Sequence, residues 1–187
     1  TKLSHSMQEW SGHPWIQWIT GPPALDYSLH RYLDGEADQQ RRFEAPEGFT
    51  SEDAVLLWAR ELAGPFLAPG GSATRPMFTA AKQARTEHHD PTFDAVTYHR
   101  AADPTSITVP AGTFEVEERW ITRGGQELWR VWTEAAAPHR IVRWENAHGQ
   151  RAEMIASQRM PYWHLNGPGG EARLEALGLQ PRPARTP

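Results

Sequence analysis

"VPAGTFEVEERWI", Val109 to Ile121, is the stretch from which the fold is read. A Pro-Ala-Gly turn leads directly into an alternating strand, with Phe114, Val116 and Trp120 on one face and Glu115, Glu117 and Arg119 on the other. Gly124-Gly125 then marks a tight hairpin turn, and "QELWRVWTE" returns from it. On the returning strand Trp129 and Val131 alternate with Leu128, Arg130 and Trp132, which puts an aromatic on each face. "HRIVRWEN" follows the same rule, Ile141 and Arg143 alternating with Val142 and Trp144, and pairs with "AEMIASQ" across Ala147-His148-Gly149. Strands that are apolar on both sides must be covered on both sides.

The upstream half supplies more strands and the cover. "PWIQWITG" and "LDYSLHRYL" read as strands, the second with Leu25, Tyr27 and Leu29 on one face, and Arg41 to Glu44 returns as another. "FTSEDAVLLWARELAG" reads as the main helix, Thr50 to Ala63. Thr50 or Ser51 caps it, Glu52 and Asp53 fill the first turn, and Gly64-Pro65 stops it. Its apolar stripe is Val55, Trp58, Ala59 and Leu62. "LAPGGSATRPMF" is turn-rich and then extended, while "FDAVTYHR" and "SITVP" are strands. A short helix runs from Glu171 to Leu177, and residues 181–187 read as a disordered tail. The expected fold is α+β: a strongly curved antiparallel sheet (a half-barrel) wrapped around one main helix, with a short C-terminal helix. Residues 1–180 form a single domain in this reading.

Composition narrows the function. The chain has 187 residues, 39% hydrophobic and 22% charged, with a net charge of -4. That balance argues against a nucleic-acid partner, whose phosphates demand a basic surface. No apolar run approaches the length of a transmembrane helix. Cysteine is absent, which excludes disulfides, thiolate metal sites and cysteine nucleophiles. The chain opens Thr-Lys-Leu-Ser, as a mature form does once its targeting segment has been removed.

Chemistry-bearing motifs are sparse. His88-His89-Asp90 has metal-ligand residue types, but neighbouring histidines on an extended chain point opposite ways, so a solvated loop is expected. His139, His148 and His164 sit on turns or strand ends. Glu115 and Glu117 read as the wet face of a strand. Glu118, on the Trp120 face, needs a partner such as Arg130 or Arg143. No nucleophile elbow, phosphate loop, zinc-protease motif or dinucleotide fingerprint occurs. No catalytic residue, metal site or cofactor is therefore assigned.

Tryptophan is the outlier, with nine residues. Most are expected in the core, where aromatics dominate the energetics, and the others at a cavity or a carbohydrate-stacking surface. "EWSGHPWIQW", with Trp10, Trp15 and Trp18 around a turn, is the place to look for exposed ones.

"LLWARELAGPFLAPGGSATRPMF", "ITVPAGTFEVEERW" and "LWRVWTEAAAPHRIVRWE…GQRAEMIAS" together resemble a bacterial family known as domain of unknown function 3108. The resemblance covers about Ala54 to Gln158, with "VPAGTF" its most specific part. It implies export to the periplasm or association with the outer membrane. It also implies a curved sheet similar to the half-barrel of periplasmic lipoprotein carriers, and it brings no catalytic residues. The leading expectation is a non-enzymatic cell-envelope protein that binds a lipid or acyl chain between the main helix and the sheet. Trp58, Trp120, Trp132 and Trp144 line that site, Arg119, Arg130 and Arg143 meet an anionic head group, and Trp15 and Trp18 stand as further ligand contacts. A scaffold or interaction domain with an envelope-protein partner is the alternative, and a small hydrolase or glycan-processing enzyme comes third.

Overall fold

The computed structural model describes residues 2–8, 13–21, 23–32, 35 and 38–179, with the side chain of residue 85 omitted. Trp10 and the expected tail at 181–187 lie outside the described residues. The fold is mostly β, an α+β arrangement with low helix content. One sheet has four strands in the order β1 (Lys2–Ser6), β2 (Trp15–Gly21), β3 (Ala24–His30), β4 (Gln39–Glu44). The other, a curled half-barrel sheet, has eight. Its strands are β5 (Thr50–Ser51), β6 (Ser72–Phe78), β7 (Phe93–Arg100), β8 (Thr105–Val109), β9 (Gly112–Arg123), β10 (Gln126–Glu134), β11 (Ile141–Asn146) and β12 (Arg151–Glu153). Their order is β12-β11-β10-β9-β7-β6-β5, with β8 paired to β9. The sheet is mixed, not purely antiparallel as expected, because β5 pairs parallel with β6.

Two compact units make up the chain. The first comprises Thr1–Val55 and Ala73–Thr97, the second Leu56–Ser72 and Tyr98–Pro187.

In the first unit the expected alternation holds. Leu25, Tyr27 and Leu29 of β3 join Ile16 and Trp18 of β2 in one buried cluster with Phe78 and Ala81. Edge-to-face contacts of Trp18 with Phe78 (6.1 Å) and Tyr27 with Phe43 (6.0 Å) knit it together. Burial pushes the Tyr27 phenol up to about 12, against the opposing charge of Arg41.

The expected main helix is where the structure departs most. Thr50 and Ser51 pair with Met77 and Phe78 as a strand, and Glu52 to Ala54 form a 3-10 turn. Of the expected helix, only α1 (Val55–Ala59) is α-helical. Ser51 does cap the turn, its hydroxyl accepting from the Asp53 amide at 3.2 Å. The acidic pair, however, reaches across the chain: Glu52 Oε2 accepts from the Ala80 amide (3.0 Å) and Asp53 Oδ2 from the Ala81 amide (3.2 Å). Those two carboxylates therefore start a second helix, α2 (Ala81–Thr86), which the sequence reading missed. Beyond Ala59 the backbone tightens, with Glu61 donating to the Trp58 carbonyl and adopting φ 59°, so Leu62 leaves the stripe and is 63% exposed. The expected C-terminal helix is two 3-10 turns, Gly170–Arg173 and Glu175–Leu177.

The second unit contains the opening stretch. Val109 pairs with Gly112 across the Pro110-Ala111 turn, so β8 and β9 form a hairpin. Gly124 and Gly125 sit at φ 57° and 82°, which only residues tolerant of left-handed geometry adopt, and they close the β9–β10 hairpin. β11 and β12 form the last hairpin across Ala147-His148-Gly149.

Candidate functional site

Register sorts the tryptophans of the second unit. Directly paired residues share a sheet face. Arg130 lies opposite Trp120 and Trp132 opposite Glu118, while Val131 lies opposite Arg119. On the other flank Arg143 pairs with Trp132, and Trp144 with Val131. One face therefore carries Trp120, Arg130, Trp132, Arg143 and Glu118. The other carries Arg119, Val131 and Trp144.

Around Arg119 and Trp58 the other face is closed. Trp58 packs edge-on to Tyr98 at 4.7 Å and donates its indole N–H to the Pro65 carbonyl (2.9 Å). Arg119 is only 4% exposed, although alternation puts it with Glu115 and Glu117 on the expected wet face of its strand. Its guanidinium donates to the Ala59 carbonyl (2.6 Å), the Thr133 hydroxyl (3.0 Å), Glu61 (2.8 Å) and Glu117 (2.7 Å). Arg100 completes the square, donating to the same two carboxylates at 2.8 Å each. Burial pulls the Arg119 guanidinium below its usual value, opposed by the charge of Glu117. Buried charges need such mutual satisfaction, and the arrangement has the character of a structural lock.

The Trp132 face is a ladder of rings and cations. His99 stacks on Trp120 with centroids 5.0 Å apart and planes 6° from parallel, and its Nε2 meets the Thr122 hydroxyl at 3.1 Å. Arg130 lies over Trp120 (5.6 Å) and Trp132 (6.0 Å), and Arg143 lies over Trp132 (4.7 Å). Carboxylates neutralise the cations: Glu118 and Glu127 bond Arg130, and Glu145 accepts from Arg143 at 3.0 Å. Glu118 thus has the arginine partner expected of a carboxylate on the Trp120 face. Burial holds His99 below the ordinary imidazole value, and burial with the nearby Glu145 charge raises Glu127.

At one end the ladder runs into apolar ground. A register shift in the β10–β11 pairing between Trp132 and Thr133 lets Val142 join Trp132, Val109 and Val116 in a buried cluster against which Phe114 and Met154 pack. Beside it opens a hollow of about 370 Å³ whose walls include Ile141, Val142, Trp144, Met154 and Ala156, with Arg140, Arg143 and the carboxylate of Glu153 as the charged groups lining it. The Nε of Arg143 is buried and has no hydrogen-bond partner among the described residues; Glu153 Oε1 stands 3.9 Å away. Arg140 is engaged by Glu134 (2.7 Å), and that bond holds the Glu134 carboxyl below its usual range.

The expected site residues are therefore dispersed. Trp120, Trp132, Arg130 and Arg143 come together on one face. Trp144 and Arg119 belong to the opposite one by register, although Trp144 also lines the hollow beside Arg143, and Trp58 is core on the closed side. Trp18 is core of the first unit, and Trp15 is half-buried there. His99 and Met154 were not singled out in the sequence, since strand neighbours distant along the chain carry no local signature. His88-His89-Asp90 lies exposed, with Asp90 paired to Arg41 at 2.5 Å. Among the described residues no group of three or more His, Asp or Glu is placed to hold a metal ion. Among them, too, no helix is long and apolar enough to cross a membrane. No family model, curated protein or solved structure matches the chain, and the family resemblance rests on the quoted residues.

Proposed function

We propose that this chain is a non-enzymatic binding protein of the cell envelope whose second unit takes an amphipathic anion, such as an acyl carboxylate or lipid, in the hollow beside β11 and β12. The reading rests on one observation: apolar walls of Ile141, Val142 and Met154 meet an arginine whose Nε donor is unspent. A hollow of about 370 Å³ is at the lower end of small-molecule sites, roughly 300–1,000 Å³. An unmet buried donor favours a ligand that carries an acceptor, because leaving the donor unpaired costs about 1–3 kcal/mol.

The site differs from the expected one in position. The ligand lies on the flank of the sheet, with Arg143 at its head, and not under α1, where Trp58 and Arg119 fill the space. The test is titration with a fluorescent fatty acid and its uncharged alcohol counterpart. The acid should bind roughly tenfold or more tightly than the alcohol, as expected for a charge-assisted hydrogen bond. Ala156→Trp fills the hollow and should abolish binding without lowering the melting temperature, and Arg143→Gln should remove the preference for the acid. Undiminished binding in both variants, or none in the parent, refutes the reading.

The scaffold alternative has an observation of its own. Leu57, Leu62 and Phe66 are 50%, 63% and 74% exposed, and Leu62 donates its amide to the Leu57 carbonyl, bringing those two residues side by side. A contiguous exposed apolar patch marks a protein contact, and the neighbouring Leu57 and Leu62 are its candidate here. Leu62→Asp should leave fatty-acid binding intact and abolish any partner binding.

A further inference from the structure

We infer that the outward face of the four-stranded sheet in the first unit binds a neutral oligosaccharide, with the indole of Trp15 as its stacking platform. The register arranges this face in three cross-strand rows. Lys2, Ile19, Asp26 and Arg42 form one; Ser4, Gln17, Ser28 and Gln40 the next; Ser6, Trp15 and His30 the third. Burial alternates along β1 and β3, so these residues occupy the solvent side while Ile16, Leu25, Tyr27 and Leu29 occupy the core.

The chemistry of the rows selects the occupant. The middle row is uncharged throughout, a line of amides and hydroxyls. Gln17 donates to the Ser4 hydroxyl (2.9 Å), and the Ser28 hydroxyl donates to Gln40 Oε1 (2.8 Å). Each of these groups keeps donors or acceptors in excess of its one bond, as a sugar hydroxyl requires. Around the row the charges cancel. Lys2 and Arg42 stand against Asp26, 3.6 Å from Arg42, and Asp38, which holds His30 at 2.5 Å. A face that is polar but has no net charge complements a neutral polyhydroxylated ligand and offers no focus for an anion or a cation.

Trp15 supplies the apolar component. Its ring is half-buried on this side and lies 5.2 Å from the His30 ring, tilted by 41°, so the indole is braced in place. The negative π-face of an indole attracts the polarised C–H face of a pyranose. Strands about 4.8 Å apart make the four-strand rows span about 14 Å, enough for a short run of sugar rings. A protein partner is less well matched, because an interface core needs several large apolar groups and this face offers Trp15 and Ile19.

The test is native gel electrophoresis of the full chain through hydroxyethylcellulose, glucomannan, xyloglucan or glycol chitin, with dextran sulfate as the charged control. At least one neutral polymer should retard the protein. Trp15→Ala should weaken that retardation about tenfold, the worth of one aromatic stacking contact. Trp163→Ala, at an exposed tryptophan of the second unit, should leave it unchanged. If Trp15→Ala lowers the melting temperature, Gln17→Ala with Gln40→Ala on the same face decides, and must reduce retardation in a folded protein. Retardation by none of the neutral polymers, by dextran sulfate alone, or undiminished in the variants overturns the inference. Fatty-acid binding by the second unit is a separate readout and is expected unchanged in all of them.

Discussion

Replacing Arg119 by methionine distinguishes a structural lock from a ligand contact. The substitution keeps the aliphatic stem and removes the guanidinium. Four acceptors each lose one donor: the Ala59 carbonyl, the Thr133 hydroxyl, Glu61 and Glu117. Breaking a buried ion pair from one side costs about 3–5 kcal/mol. Arg100 still bonds both carboxylates, and the side chain of Glu61 is 43% exposed, so the low end applies, about 3 kcal/mol. With a urea slope of about 2 kcal/mol per M, the midpoint should fall by about 1.5 M with the slope unchanged. Arg119→Lys, a single point donor in place of a fork, should lose about half of that. Adding Glu117→Leu to Arg119→Met should recover part of the loss, since it removes a carboxylate left short of partners. A midpoint shift under about 0.3 M, combined with lost fatty-acid binding, would refute the reasoning and return Arg119 to the ligand.

Two further outcomes follow from the second unit. His99 has its pKa depressed by burial, so its neutral form is the one favoured in the folded state: stability should be unaffected above about pH 6.5 and fall as the pH drops below it towards the folded value. His99→Gln should flatten that part of a melting-temperature profile, and an unchanged slope would count against the His99–Trp120 stack. Gly125→Ala should cost about 1 kcal/mol in urea denaturation, because φ is 82° there and open space surrounds the added methyl; a neutral result would show that the turn relaxes.

The strands were legible because alternation is a local property. "QELWRVWTE" reads as a strand from its own letters, and β10 runs over those nine residues. The helix boundary was not legible, for an equally physical reason. Ser51 followed by Glu52 and Asp53 is the ordinary signature of a helix start, and a carboxylate in a first turn is stabilising there. Here both carboxylates satisfy the amides of Ala80 and Ala81, residues far along the chain, and thereby define α2. The Ala-Ala-Lys-Gln-Ala-Arg run carried helix propensity, but its capping groups lie outside any local window.

The site was half legible for the same reason. Alternation sorts residues within a strand but leaves open how the faces of neighbouring strands align until the register is known. Trp132 and Trp144 are both even-numbered and both aromatic, yet pairing of Arg143 with Trp132 and of Trp144 with Val131 sends them to opposite faces. The register shift beyond Trp132 then brings Val142 to the Trp132 cluster, although simple alternation assigns it the face of Trp144. One local irregularity thus turns a strand that is apolar on both sides into two different surfaces. One is filled around Arg119 and Trp58. The other runs from the cation–π ladder towards the apolar hollow and the Nε of Arg143, the side on which the proposed ligand is placed.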